Sequence, residues 1–320
     1  MKEKKMKTTE LTKNSSQCCG RINYNKYAIF TAVIGNYDEI RQPEVVDDRF
    51  DYILWTDSDE LYKKGKIGVW EVRKIYYADN LFKLSRYVKT SQMSPQNWYK
   101  FTVWIDANIQ IADSYIYERS IQLYKKGAFV SALNHTQSRN VYDEMVRVLV
   151  FGFEREKTVL KWADFLRKKE NLYYNYMPIN ETGILYRRTS KRTNLLNQIW
   201  WSCIDKYSRR DQLSFNYVLS DIQMRCVPFM KEDVRKSEHF NYYTHACSKR
   251  YITNPYFTKL VRYAMDFPDE INEIEYTYKK IFKLPSPMLF ARLYSAKFMI
   301  KSFFKKTWMR IVNAYYRIKG

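Results

Sequence analysis

The chain contains only three histidines, His135, His239 and His245, and five cysteines, Cys18, Cys19, Cys203, Cys226 and Cys247. The cysteines are odd in number, and their spacing fits neither a zinc motif nor a disulfide framework. Disulfide-stapled and zinc-stapled folds are thereby excluded, and a reducing compartment is the simplest reading. No stretch reaches the ~18–20 apolar residues that a membrane span needs. Residues 1–20 are polar and lysine-rich and lack the apolar core of a signal peptide. The expectation is a cytoplasmic protein. The sequence also has no internal repeat and no recognised nucleic-acid module, and from Lys283 to Gly320 it has no acid at all.

What is present is a chain of 320 residues, 46% of them hydrophobic. That suffices for one large α/β domain or a domain with an appendage. The formal charge of +21 favours an anionic partner: nucleic acid, a nucleotide-sugar pyrophosphate or an acidic membrane surface. Three regions separate by composition. Residues 1–24, rich in Lys, Thr, Ser and Asn, read as a disordered arm. Residues 25–255 read as the globular domain. Residues 256–320 read as a helical basic tail, within which Pro285 and Pro287 set off the acid-free stretch that starts at Lys283. There Leu289, Leu293, Ala296, Ile300, Phe303, Phe304 and Ile311 form one helical stripe, with most lysines and arginines off it. This pattern suits a helix lying on the inner face of an anionic membrane. The competing reading is a helix packed on the domain with a solvated basic back.

The apolar run 27–34 ends in Gly35-Asn36-Tyr37-Asp38, as a buried parallel strand followed by a turn does. Further strands are expected at 52–55, 68–72, 101–105, 128–133, 182–186 and 224–227. Helices are expected at 79–91, 139–150, 154–169, 190–206 and 210–218. The alternation predicts an α/β layer fold with a largely parallel sheet.

In such sheets ligands bind outside the carboxyl ends of the strands. Three strand ends carry polar groups: Gly35 to Asp38, Asp57-Ser58-Asp59 and Asp106-Ala107-Asn108. Asp57-Ser58-Asp59 reads as turn chemistry rather than a metal motif. Asp106 follows the strongly apolar strand Phe101–Ile105, so it leaves the core at a fixed place. Asp106 and Asn108 offer two hard oxygens for a divalent cation on a diphosphate, although an aspartate after a strand is also a common helix cap. A late histidine would complete a Mn²⁺ or Mg²⁺ site. Glu181 and Asp211 are the two further acids suited to proton transfer. For Asp211 the helix-cap and the catalytic readings stand level.

Together these segments resemble a known family. Trp104-Ile105-Asp106-Ala107-Asn108, Arg210-Asp211-Gln212-Leu213-Ser214-Phe215 and the set His135, Arg139, Tyr142 and Glu144 are its most specific pointers. The chain is identified over roughly residues 26–250 as similar to the TOD/MUCI-type glycosyltransferase-like family, long catalogued as a domain of unknown function. The resemblance implies a GT-A-like Rossmann-type mixed sheet flanked by helices. It implies a nucleotide-sugar donor bound by Thr31, Ala32, Gly35, Tyr37, Asp57, Lys83, Arg86, Lys89, Asp106, Ala107, Asn108, His135, Arg139 and Gln212. It further implies catalytic roles for Asp211 and Glu181, and Mn²⁺ or Mg²⁺ held by Asp106, Asn108 and His245. The expected function is transfer of a hexose to a cell-surface glycan or lipid-linked acceptor at the cytoplasmic membrane face, with no specific nucleic acid as partner. The alternative is a non-catalytic basic protein that binds nucleic acid or a membrane surface.

Overall fold

The computed structural model describes residues 26–35, 37–75, 81–90, 99–138, 140–150, 153–169 and 178–245. The arm 1–24 and the tail 256–320 lie outside the described residues. In chain order the elements are β1 (Tyr27–Val33), β2 (Phe50–Thr56), α1 (Asp59–Lys63), β3 (Lys66–Ile67), β4 (Trp70–Lys74), α2 (Leu81–Thr90), β5 (Phe101–Ile105), β6 (Ile109–Ile111), α3 (Tyr115–Lys125), β7 (Val130–Asn134), α4 (Val141–Val150), α5 (Glu156–Lys168), β8 (Asn180–Arg188), α6 (Lys191–Lys206), α7 (Asp211–Asp221), β9 (Cys226–Pro228) and β10 (Phe240–Tyr242). No helix among them is long and apolar enough to cross a membrane.

Eight strands form one mixed sheet in the order β3-β4-β2-β1-β5-β8-β7-β9, and β6 pairs with β10 in a small second sheet. β4, β2, β1 and β5 run parallel, whereas β8 is antiparallel to both β5 and β7. The expected helix-flanked mixed sheet is thus present, with β8 and the edge strand β3 supplying the reversals.

Side chains alternate across this sheet because a strand has a period of two. Phe30, Trp104 and Leu185 face one apolar cluster, which α2 joins through Leu84 and Val88 and α6 through Trp200. Ile29, Val103, Ile184 and Tyr186 face a second cluster, under α3 with Ile116 and Tyr117. A strand covered on both faces is predominantly apolar, which explains the run in β1, where the small Thr31 is the exception. Truncating a filled position such as Trp200, which is fully buried, costs about 3–5 kcal/mol.

One buried cation crosses the first layer. Arg187 of β8 donates from Nη1 to Asn197 Oδ1 on α6 at 2.7 Å and from Nη2 to the Lys89 carbonyl at 2.6 Å. Burial lowers its pKa to about 9. The bond to Lys89 fixes the last turn of α2 and so the position of the Lys89 side chain. The strand expected at 68–72 is present as β4 but begins two residues later, at Trp70, because Gly68 and Val69 form the turn from β3. Gly68 has φ +58°, and a Cβ there would strike the Gln42 amide, so turn chemistry claims the start of that run and moves the strand boundary.

Candidate active site

The carboxyl ends of β1, β2 and β5 share one edge because those strands are parallel. β8 runs the other way, so its first residues reach the same edge. There the Asp106 N–H donates to the Gly183 carbonyl at 2.8 Å. β7 is antiparallel to β8 and delivers its own carboxyl end to this edge, where the His135 N–H meets the Ile179 carbonyl at 3.1 Å. Residues 35, 106, 135 and 181 thus arrive together from distant parts of the chain. A cleft of about 490 Å³ opens there. Ala32, Gly35, Tyr37, Asp106, Ala107, Glu181, Gln212 and His245 lie on its walls, with Arg86, Arg147, Arg209, Arg210 and Arg235.

Beneath the cleft floor sits an ion cluster. Lys89 is 1% exposed; its Nζ donates to Asp211 Oδ2 at 2.7 Å and to Thr182 Oγ1 at 3.0 Å. The same ammonium lies 3.5 Å from Asp106 Oδ1, which also accepts from Trp104 Nε1 at 2.6 Å. Asp211 further accepts from the Thr182 hydroxyl, and Arg86 Nε lies 3.4 Å from its Oδ1. Burial alone would raise the Asp211 pKa, but the charges of Lys89 and Arg86 hold it well below the usual carboxylate range. Asp211 is the first residue of α7 rather than its cap, which is Arg210. A carboxylate so paired is a poor proton acceptor and a good fixed counter-charge.

A second buried group lies behind His135. Its Nδ1 accepts the Ser138 N–H at 2.8 Å, so the ring proton of the neutral imidazole sits on Nε2, 3.2 Å from Glu144 Oε2. Burial works to raise the Glu144 pKa, but His135, Arg210 and Arg147 bring it down to about 2. Glu181 stands at the cleft side of this group. Its Oε2 accepts from Arg235 Nη2 at 2.9 Å, while its buried Oε1 makes no hydrogen bond and lies 3.8 Å from His135 Nδ1.

The last described residues close the cleft. Asn108 is buried; its Nδ2 donates to the Tyr243 carbonyl at 2.9 Å, and its own carbonyl accepts the Tyr243 N–H at 2.9 Å. Together with the β6–β10 pairing, this clamp carries the chain to His245, whose Nδ1 lies 3.0 Å from both Asp38 carboxylate oxygens and whose ring packs against Tyr37. Of the expected metal set, Asp106 and His245 face the cleft and Asn108 does not. Among the described residues no three His, Cys, Asp or Glu side chains gather as a metal site, and the carboxylate best placed for a cation already has an ammonium beside it. The three residues do not fit a divalent ion as a set.

The model of the TOD1/MUCI70 glycosyltransferase-like domain matches residues 2–245. The chain belongs to this family. No curated protein matches it. Among solved structures, the chain is similar to the apo-form glycosyltransferase GlyE of Streptococcus pneumoniae TIGR4, at 12% identity and a TM-score of 0.36. That alignment covers 82% of this chain and 53% of the other, so the chain spans about half the length of that protein.

Not every residue drawn from the family resemblance reaches the cleft. Thr31 is buried within β1, away from the cleft walls, and its hydroxyl makes no hydrogen bond. Asp57 Oδ1 accepts the Gly35 N–H at 2.9 Å and so shapes the turn that carries Tyr37. Lys83 points to α6, where its Nζ donates to the carbonyl and Oδ1 of Asp205 at 2.7 and 2.8 Å. Lys89 supports the floor from below. Arg139 lies outside the described residues. His239 stacks on Tyr115 and meets Asp113 at 2.7 Å, apart from the cleft. Sequence reasoning missed four site arginines: Arg147, Arg209, Arg210 and Arg235. Arg209 and Arg210 had a signal, since they immediately precede the family's Asp-Gln pair. Arg147 and Arg235 had none.

Proposed function

We propose that this chain transfers a sugar from a nucleotide-sugar donor to a glycan acceptor, with both meeting in the cleft above Asp106. One observation carries the reading. A polar, arginine-walled cleft lies at the carboxyl edge of parallel strands, where α/β sheets bind nucleotides, in a chain of glycosyltransferase-like family. In this reading the acceptor oxygen bonds to the anomeric carbon, the bond from that carbon to the diphosphate oxygen breaks, and a protein carboxylate takes the acceptor proton. Glu181 is that carboxylate. Among the acids on the walls, Asp211 is held by Lys89, Asp106 carries the bond from Trp104, and Asp38 holds His245. Of these four acids, Glu181 has a buried carboxylate oxygen without a hydrogen bond, and Arg235 fixes its rotamer. Asp211 is a positioning residue that anchors Lys89 and Arg86.

A hexose as the transferred sugar, a cell-surface glycan as acceptor and a site of action at the inner membrane face belong to the same proposal. They are supported by the family resemblance and by the acid-free tail.

The test is transfer from a panel of nucleotide sugars to glycan acceptors, followed by mass spectrometry, for the wild type and Glu181→Gln. Loss of a general base should lower turnover by about 10²–10⁴-fold with nucleotide affinity kept. Transfer by Glu181→Gln at the wild-type rate removes Glu181 from the mechanism.

A further inference from the structure

Resting on the donor-site reading above, we infer that fixed arginines, chiefly Arg86 and Arg210, hold the donor's diphosphate, and that its binding needs no divalent cation. Three observations lead there. First, the cationic role at Asp106 is already filled. Lys89 Nζ, bonded to Asp211, also lies 3.5 Å from its Oδ1 inside the protein, at 1% exposure, so a divalent ion on that carboxylate would meet a like charge at short range. Second, the companion ligand Asn108 is not on the cleft walls; its Nδ2 and backbone carbonyl both clamp Tyr243.

Third, the cleft offers cationic donors with capacity in hand. Arg86 and Arg210 are about three-quarters buried, with 25% and 22% of their side chains exposed. Each meets its acid only at long range, Arg86 to Asp211 at 3.4 Å and Arg210 to Glu144 at 3.6 Å. The Nε of each is buried without a hydrogen bond. Arg235, by contrast, is bonded at close range to Glu181 and Asp233 and serves the acid. Guanidinium groups present forked donors that match phosphate oxygens and keep their charge at any working pH. A cleft that gathers such donors, and no three-ligand metal cluster among its described residues, neutralises a leaving nucleoside diphosphate with the chain's own charges.

The experiment is calorimetric titration of the full chain with UDP, GDP, CDP and ADP, once in excess EDTA and once in excess MnCl₂. At least one of these should bind in EDTA, with a Kd within about threefold of its value in Mn²⁺. Arg210→Gln should weaken that binding by about tenfold or more, and Arg210→Lys, which keeps the charge but not the fork, by less. Arg86→Gln should act likewise, with its fold checked by circular dichroism because it also faces Asp211. Binding that appears only with Mn²⁺, or an Arg210→Gln variant with wild-type affinity, overturns the inference while leaving the donor site intact. No binding of any of the four in either buffer overturns the donor-site reading and the inference with it.

Discussion

Replacing Lys89 with methionine removes one buried ammonium and leaves two carboxylates without their closest cation. The side chain is 1% exposed and spans Asp211 at 2.7 Å, Thr182 at 3.0 Å and Asp106 at 3.5 Å. Breaking a buried pair from one side costs about 3–5 kcal/mol, because the surviving charge stays desolvated. Against a typical total of about 5–15 kcal/mol, Lys89→Met should lower the urea midpoint sharply at neutral pH. The double variant Lys89→Met/Asp211→Asn should recover part of the loss, since the orphaned charge is then gone. Coupling of about 0.5–3 kcal/mol is expected for residues in contact. Urea unfolding followed by circular dichroism gives all four corners of the cycle. A loss below about 1 kcal/mol for Lys89→Met, or a double variant whose cost equals the sum of the singles, refutes the reasoning.

Two more predictions follow from the same charges. Glu144 has its pKa lowered from 4.5 to about 2 by His135, Arg210 and Arg147 acting against burial, which corresponds to about 3 kcal/mol. A depressed carboxylate stabilises the fold above its unfolded pKa, and that stability is lost as pH falls through the folded value. Wild-type stability should therefore fall more steeply than that of Glu144→Gln between pH 4.5 and about 2, in urea titrations at stepped pH; parallel curves would contradict this. Lys83→Ala removes only a partly exposed pair with Asp205 and should cost at most about 1 kcal/mol. It should leave nucleotide affinity within about twofold by calorimetry, and a tenfold loss would return Lys83 to the donor phosphates.

The strands and the position of Asp106 were legible for one physical reason. β1 and β5 are covered on both faces, Phe30 and Trp104 toward one cluster and Ile29 and Val103 toward the other. Their sequences are therefore largely apolar runs with abrupt ends, and the residue that follows β5 is Asp106. The roles of Lys83, Arg86 and Lys89 were harder to read. At about 100° per residue, each step of three turns the helix by about 60° short of a full circle, so the three side chains cannot share one target. Lys83 goes to α6, Arg86 to the cleft and Lys89 to the core. Long-range pairs were invisible to spacing: Lys89 and Asp211 lie 122 residues apart, and Arg235 and Glu181 lie 54 apart. The three-residue strands β6 and β10 are too short to carry a periodic signal, yet they bring His245 to Asp38.

Asp106 holds the centre of the account, since it joins the strand end, the ion cluster and the cleft. The most direct test is release of nucleoside diphosphate from a panel of nucleotide sugars by the wild type and by Asp106→Asn, which keeps the side-chain shape and an acceptor for Trp104. The account predicts that at least one donor is turned over by the wild type and that Asp106→Asn loses about 10²-fold or more of that rate, with an unchanged far-ultraviolet spectrum. Equal rates for the two proteins, or no turnover of any donor by a wild type that binds nucleic acid instead, would contradict it.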